Sequence, residues 1–305
     1  MNTISTVSSI FLLLFLGYGM KKIRVFREED ANLLNNIVLY LTLPAFIFEA
    51  IHGYHDPLPW SIAKVPIVGF SMMVVVLLIA YAIGRALRLD RPTLGAMMLA
   101  AGFGNTGFLG YPVSLAAFHD QTALVTAVLY DMFAMALPLY ILGSMIAAAF
   151  AGERVQPREI LKMLLLPVLL AVPVGLLLRP VTIPTPLMSS IHYLSNGTVP
   201  LVMLSMGLSL SARSLKGYAA PATTACILKL GLLPVISYFA YRYAGLTGIT
   251  HQSAVVESAM PTAVMACVIA AKFGANGRFV AGVIFVSTLI SIATIPITLL
   301  ILGVR

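Results

Sequence analysis

Long apolar segments, separated by short charged connections, run through the whole sequence. Because a helix needs about 20 mostly apolar residues to cross a bilayer, this pattern predicts ten membrane-spanning helices. The predicted spans are 4–20, 32–51, 61–84, 93–117, 122–149, 160–178, 187–211, 220–244, 251–272 and 279–302. Only 10% of the 305 residues are charged, whereas ordinary soluble domains have about 25%. The sequence therefore predicts an all-α polytopic membrane protein and excludes a soluble or disordered chain.

Lysine and arginine are distributed unevenly between the two sides of this predicted arrangement. The connections after spans 1, 3, 5, 7 and 9 carry 14 of the 19, the opposite side carries 4, and Lys229 lies within span 8. Because cytoplasmic loops are enriched in these residues, we expect the odd-numbered connections to face the cytoplasm and both termini to face the periplasm. The net charge of +8 thus reflects membrane topology, and no nucleic-acid partner is expected.

The two halves of the chain carry similar interruptions. An asparagine is followed by Pro44 in span 2 and by Pro200 in span 7, and spans 4 and 9 each contain a central proline. We therefore predict two five-helix repeats, residues 1–150 and 151–305, which are inverted because five is an odd number. Paired, interrupted spans at corresponding positions are typical of the binding sites of secondary transporters.

Span 4 has a sequence that does not suit a continuous helix. Four glycines and Pro112 fall within residues 102–112, and each glycine costs about 1 kcal/mol and proline about 3 kcal/mol in a helix interior. One hypothesis is a broken helix whose exposed backbone, with Gly104, Asn105 and Thr106, binds a small polar solute. The alternative is a glycine-rich packing face with a kink.

Span 9 combines a proline with an intramembrane carboxylate. Pro261 should deprive the Glu257 carbonyl of its helical donor, and Met260 and Thr262 flank the proline. Because ionisable groups are costly within a membrane, Glu257 is a candidate functional residue. It could bind Na⁺ or a proton, or it could be a structural partner of Lys229.

Asp131 in span 5 and Lys229 in span 8 are the other charged residues deep within apolar segments. Asp131 could complete a cation site with Glu257 or pair with Lys229, and Lys229 could instead attract an anionic substrate. No hydrolase, zinc-protease or nucleotide-binding motif occurs in the sequence, so neither an enzyme nor an ATP-driven pump is predicted. No cofactor is expected apart from a candidate Na⁺ at Glu257.

Four stretches together resemble the auxin efflux carrier family. They are residues 36–48 (NIVLYLTLPAFIF), 104–112 (GNTGFLGYP), 198–210 (TVPLVMLSMGLSL) and 259–261 (AMP). The family includes plant auxin exporters and bacterial relatives linked to malonate or malate transport. The resemblance covers essentially the whole chain.

This resemblance implies ten helices in two inverted repeats, a fold related to that of the bile acid sodium symporters. Spans 1, 2, 6 and 7 would form a scaffold, and spans 3–5 and 8–10 a transport domain that moves like an elevator within a homodimer. Spans 4 and 9 would be broken and would cross at Pro112 and Pro261, with substrate bound beside the crossing. Asn105 matches the asparagine that precedes the span 4 proline in the family.

The resemblance thus implies a secondary transporter of small organic anions in the inner membrane of a bacterial-type cell, since the long hydrophilic loop of many plant members is absent. Glu257 departs from the plant carriers and looks like the sodium-binding glutamate of the Glu-Thr-Gly-Met stretch in bile acid symporters. We therefore expect Na⁺ or H⁺ coupling through Glu257, with Asp131 as a second candidate ligand. The alternatives are a sodium-coupled symporter of larger, bile-acid-like anions and a membrane ligand sensor or channel.

Overall fold

The computed structural model describes residues 3–55, 60–210 and 218–304, which are helical with no β-strand among them. Arg213 and Lys216, two of the basic residues assigned to the connection after span 7, lie outside the described residues. The helices are α1 (Thr3–Lys22), α2 (Asp30–His52), α3 (Lys64–Ala86), α4 (Arg91–Gly102), α5 (Thr106–Phe118), α6 (Gln121–Ala151), α7 (Pro157–Leu164), α8 (Pro167–Leu178), α9 (Thr185–Asn196), α10 (Thr198–Ser209), α11 (Ala219–Tyr243), α12 (Gly248–Ser258), α13 (Val264–Lys272) and α14 (Gly277–Ile301).

Five of these helices, α2, α3, α6, α11 and α14, are individually long and apolar enough to cross a membrane. The pair α7 and α8, bent by 54° ahead of Pro167, makes a sixth candidate if it is counted as one span. Helix occurs in every predicted apolar segment, but the segments predicted as spans 4, 6, 7 and 9 are each divided into two helices. The chain is therefore an all-helical, multi-pass membrane protein.

Four prolines lie within continuous helices, each just after a wide π-helical turn. The turns Val38–Thr42, Thr106–Gly110, Asp131–Ala136 and Leu228–Leu232 each end two residues before a proline. A proline cannot donate to the carbonyl four residues back. In each case the residue just before the proline donates instead to the carbonyl five residues back, which maintains the ladder.

The helices pack as two bundles. In the first bundle, α2 packs against α8, α9 and α10, and α10 packs against α1. In the second bundle, α3 packs against α4 and α11, α6 against α4 and α12, and α13 against α14. Helix α5 belongs with the second bundle through α6 and also packs against α1 and α10 of the first. This arrangement places α5 between the two bundles.

Candidate functional site

Two interruptions cross near the centre of the molecule, between α4 and α5 and between α12 and α13. Their backbones run antiparallel at the crossing. The Asn105 amide donates to the Pro261 carbonyl at 2.7 Å, and the Ala263 amide donates to the Phe103 carbonyl at 3.0 Å. These bonds satisfy backbone groups that the broken helices would otherwise leave unpaired within the membrane.

The predicted position of Pro112 at this crossing is wrong. Helix α4 ends at Gly102, and Pro112 lies inside α5, where the preceding π turn absorbs it. The chain is interrupted earlier because Gly102 and Gly104 lower the cost of leaving the helix there. In the second interruption the prediction is correct, since the Pro261 carbonyl itself accepts the crossing bond.

A cavity of about 60 Å³ lies beside the crossing. Gly104, Asn105 and Thr106 line it, as do Asp131 and the amino-terminal end of α13 at Val264. A helix amino terminus carries partial positive charge and unpaired amide donors, which suit an anion. The cavity therefore combines a helix amino terminus with polar residues and one carboxylate.

Asp131 is nearly buried and fully engaged in hydrogen bonds. Its Oδ2 accepts from the Tyr111 hydroxyl at 2.7 Å, and its Oδ1 accepts from the Thr106 hydroxyl. Gly107 also lies against this carboxyl group. The two hydroxyl donors stabilise a carboxylate, and they place Asp131 at the amino-terminal end of α5, where the helix dipole also favours negative charge.

Glu257 is also fully buried and packs against α5 at Gly110. Its Oε1 accepts from the Ser114 hydroxyl at 2.8 Å, whereas Oε2 has no hydrogen-bond partner among the described residues. The expectation that Pro261 leaves the Glu257 carbonyl free is wrong. Helix α12 ends at Ser258, and the Met260 amide turns back to donate to that carbonyl at 3.3 Å.

Lys229 is also fully buried and donates from Nζ to the Ser258 carbonyl at 2.8 Å. An ammonium at this position complements the negative carboxyl-terminal end of α12. Within the described part of the chain, Lys229 forms no salt bridge with either Asp131 or Glu257. The three charged groups therefore each have their own partners.

A feature that the sequence analysis missed is that each buried charge lies against one glycine of the Gly104–Gly110 stretch. A β-carbon at Gly104 would lie 3.0 Å from Lys229 Cε, and one at Gly107 would lie 3.1 Å from Asp131 Oδ2. A β-carbon at Gly110 would overlap the Glu257 carboxyl group. The spacing of three residues between the glycines was visible in the sequence, but the side chains that face them are brought there by tertiary packing.

Met260 and Thr262 lie at the crossing and not in the cavity lining. Met260 and Thr262 are fully buried, and the Thr262 hydroxyl donates to the Ala100 carbonyl at 2.8 Å. The Asn105 side chain points toward the first bundle, where Nδ2 lies 3.4 Å from Met206 Sδ of α10. No cluster of three or more His, Cys, Asp or Glu side chains occurs among the described residues.

The chain is similar in sequence to known membrane transport proteins. Residues 3–299 match a family described as membrane transport protein. An uncharacterized transporter of Methanocaldococcus jannaschii is 31% identical over 97% of this chain and 98% of its own length. A protein of Rhizobium meliloti named "Putative malonate transporter" is 29% identical over 95% of this chain and 92% of its own length.

Proposed function

This chain belongs to the membrane transport protein family, which its motifs identified as that of the auxin efflux carriers, and we propose that it is a secondary transporter of small organic anions. The chain is a membrane transporter and not an enzyme. We place it in the inner or plasma membrane with both termini outside, and we propose that it works as a homodimer.

The crossing of the two interrupted segments beside a cavity is the observation that carries this proposal. The α13 amino terminus at Val264 supplies amide donors for a carboxylate, and Asn105 and Thr106 line the same cavity. The small size of this cavity is more compatible with a small dicarboxylate, such as malonate or malate, than with a steroid-like anion. The name of the Rhizobium relative supports the same substrate class.

We propose that transport proceeds by an elevator-like movement of the second bundle, spans 3–5 and 8–10, against the first. Between the bundles, α5 packs against α1 and α10 and α2 packs against α6, whereas the most extensive helix contacts lie within one bundle, which supports this division. We further propose that the two halves, 1–150 and 151–305, are inverted repeats, each of which contributes one of the two interrupted segments at the crossing. A coupling ion, Na⁺ or H⁺, would bind at Glu257, because burial of an uncompensated carboxylate is costly.

Proteoliposome exchange tests the function. We expect malonate inside the vesicles to accelerate the uptake of labelled malonate or malate, with saturation, and we expect Asn105→Ala to reduce the rate at least about tenfold by removing a binding group. Uptake should also respond to an imposed Na⁺ or pH gradient. Unsaturable flux would indicate a channel, and binding without flux would indicate a sensor.

A further inference from the structure

Helix α7 (Pro157–Leu164) lies at an angle to α8, the helix that follows it. The bend between them is 54°, and none of the residues of α7 is buried. One side of α7, at Met163 and Leu164, packs against the core. The Lys and Arg distribution predicts the cytoplasmic side of the membrane for this part of the chain. A short helix at such an angle, packed along one side only, is placed to lie along the membrane surface.

The side of α7 that faces away from the core carries a pair of cations. Arg158 and Lys162 are both exposed, and at four residues apart they lie on one face of the helix. Among the described residues neither side chain has a hydrogen-bond or ion-pair partner. Glu159, three residues before Lys162, is paired instead with Lys272 of α13 at 3.5 Å. The described part of the chain therefore leaves both cations without a neutralising group.

This placement of charge is unfavourable for the helix by itself. Like charges four residues apart repel each other, and Arg158 lies in the first turn, where the helix dipole disfavours a cation. An isolated helix of eight residues is also too short to be stable in water. A negatively charged group held between the two side chains would offset the repulsion and stabilise α7.

Two exposed leucines adjoin the cations. Leu161 and Leu165 are 56% and 57% exposed, and the Leu165 amide donates to the Leu161 carbonyl at 3.0 Å, so the two residues lie one turn apart. At about 100° of rotation per residue, the ridge that they form lies beside the ridge of Arg158 and Lys162. Cations beside exposed leucines match a ligand with a negatively charged head and an apolar body. A free inorganic anion would use the cations alone.

We propose that α7 binds an anionic phospholipid, whose phosphate lies between Arg158 and Lys162 and whose acyl chains lie along Leu161 and Leu165. Basic residues on an amphipathic helix at the cytoplasmic surface attract the anionic lipids of that leaflet. The protein supplies the two cations and the apolar ridge, and the lipid supplies the negative charge that the described residues do not.

The position of α7 between the two bundles gives this lipid a role in transport. Helix α7 continues into α8 of the first bundle, yet it packs against α6 of the second. The Glu159–Lys272 pair also joins it to α13 of the second bundle. A bound lipid holds α7 at the membrane surface while the second bundle moves past it. This role rests on the proposed transport function, whereas the lipid site itself does not.

Native mass spectrometry of the purified protein in a non-ionic detergent tests the site without transport. We expect phosphatidylglycerol to bind more tightly than phosphatidylcholine with the same acyl chains, and we expect Arg158→Gln/Lys162→Gln to weaken its binding at least about tenfold. The matched control is Arg85→Gln/Arg88→Gln, which removes the same charge from two exposed positions at the end of α3, on the same predicted side. Equal losses in the two double variants would overturn the proposal, because binding would then depend only on net charge.

Two further measurements separate a lipid from a free anion. Leu161→Ala/Leu165→Ala should weaken the binding of phosphatidylglycerol at least about threefold, because less apolar surface meets the acyl chains. Excess inorganic phosphate should leave the bound lipid in place. Displacement of the lipid by phosphate, or full affinity in the leucine variant, would assign the two cations to a free anion and overturn the lipid site.

Proteoliposomes test the role in transport. With malonate as the probe, adding phosphatidylglycerol to phosphatidylcholine vesicles should accelerate exchange by the unchanged protein and by Arg85→Gln/Arg88→Gln, but not by Arg158→Gln/Lys162→Gln. Equal acceleration in all three would overturn the role of α7, because the lipid would then act elsewhere. Lipid binding that depends on α7, without exchange of any organic acid, would instead refute the transport function and leave the lipid site standing.

Discussion

Each glycine of the Gly104–Gly110 stretch provides space for one buried charge, and this determines which side chains can approach the crossing. Glu257 shows the closest approach, because its carboxyl group occupies the space that a β-carbon on Gly110 would fill. The sequence predicted that the deep charges matter, because charge in an apolar segment is visible from hydropathy alone. It could not pair them with these glycines, since each pair joins different helices.

Gly110→Ala is therefore expected to destabilise the protein by about 1–3 kcal/mol, the usual cost of overpacking a core site. Thermal unfolding in detergent measures the effect. Gly231→Ala is the matched control, because, apart from the adjacent backbone of its own helix, no atom lies within 4 Å of the position that its β-carbon would take. The double variant Gly110→Ala/Glu257→Ala should recover part of the loss, because the shorter side chain at 257 leaves room for the new methyl group. Equal stability of the two glycine variants would contradict this account.

Proline had two different effects on the helices, and the sequence predicted only one of them. Pro261 lies in an interruption, whereas Pro112 is absorbed by the π turn Thr106–Gly110 within α5. A proline removes one donor in either case. Whether the helix breaks or widens depends on which groups can form hydrogen bonds with the backbone groups that lose their helical partners. At the first interruption, the other interrupted segment provides those hydrogen-bonding groups. The positions of the helices could thus be predicted from the sequence, but the exact crossing could not.

At the scale of the helices, the hydrogen bonds at the crossing predict different losses of stability for two substitutions. Asn105→Pro introduces a proline at the crossing, whereas Pro112→Ala removes one elsewhere. Asn105→Pro should cost about 1–3 kcal/mol relative to Asn105→Ala, because it removes the amide that donates to the Pro261 carbonyl. The backbone of Asn105, with φ of −83°, is itself close to what proline adopts. Pro112→Ala, which is not at the crossing, should have a smaller effect. Thermal unfolding compares the three variants, and a larger loss for Pro112→Ala would place the crossing elsewhere.

At the scale of the whole molecule, the expectation of a scaffold and a moving domain comes from a family resemblance and not from the residues. Hydropathy locates apolar segments but does not specify which of them pack together, since lipid and protein neighbours are equally apolar. In the structure, close contacts between helix backbones show which segments pack together. For example, Gly17 of α1 packs against the Leu204 carbonyl of α10, and Gly207 of α10 packs against the Leu14 carbonyl of α1. Such contacts hold the first bundle together as a unit against which the second could move.

Cross-linking between the bundles tests this movement. Gly53, at the end of α2, and Gln121, at the start of α6, approach each other, because a β-carbon on Gly53 would lie 3.2 Å from Gln121 Nε2. Cysteines at these two positions, joined by a bifunctional maleimide after replacement of Cys226 and Cys267, should abolish malonate exchange, because α6 could no longer move past α2.

The control pair is Lys64→Cys/Ala244→Cys, whose positions both belong to the second bundle and lie at the same side of the membrane. Cross-linking this pair joins α3 to the end of α11, and these should move together, so exchange should continue at the rate of the unlinked protein. The comparison separates a blocked movement from damage caused by the reagent. Continued exchange with the 53–121 link in place would show that transport does not require the bundles to separate at this side, and the elevator-like movement would have to be abandoned.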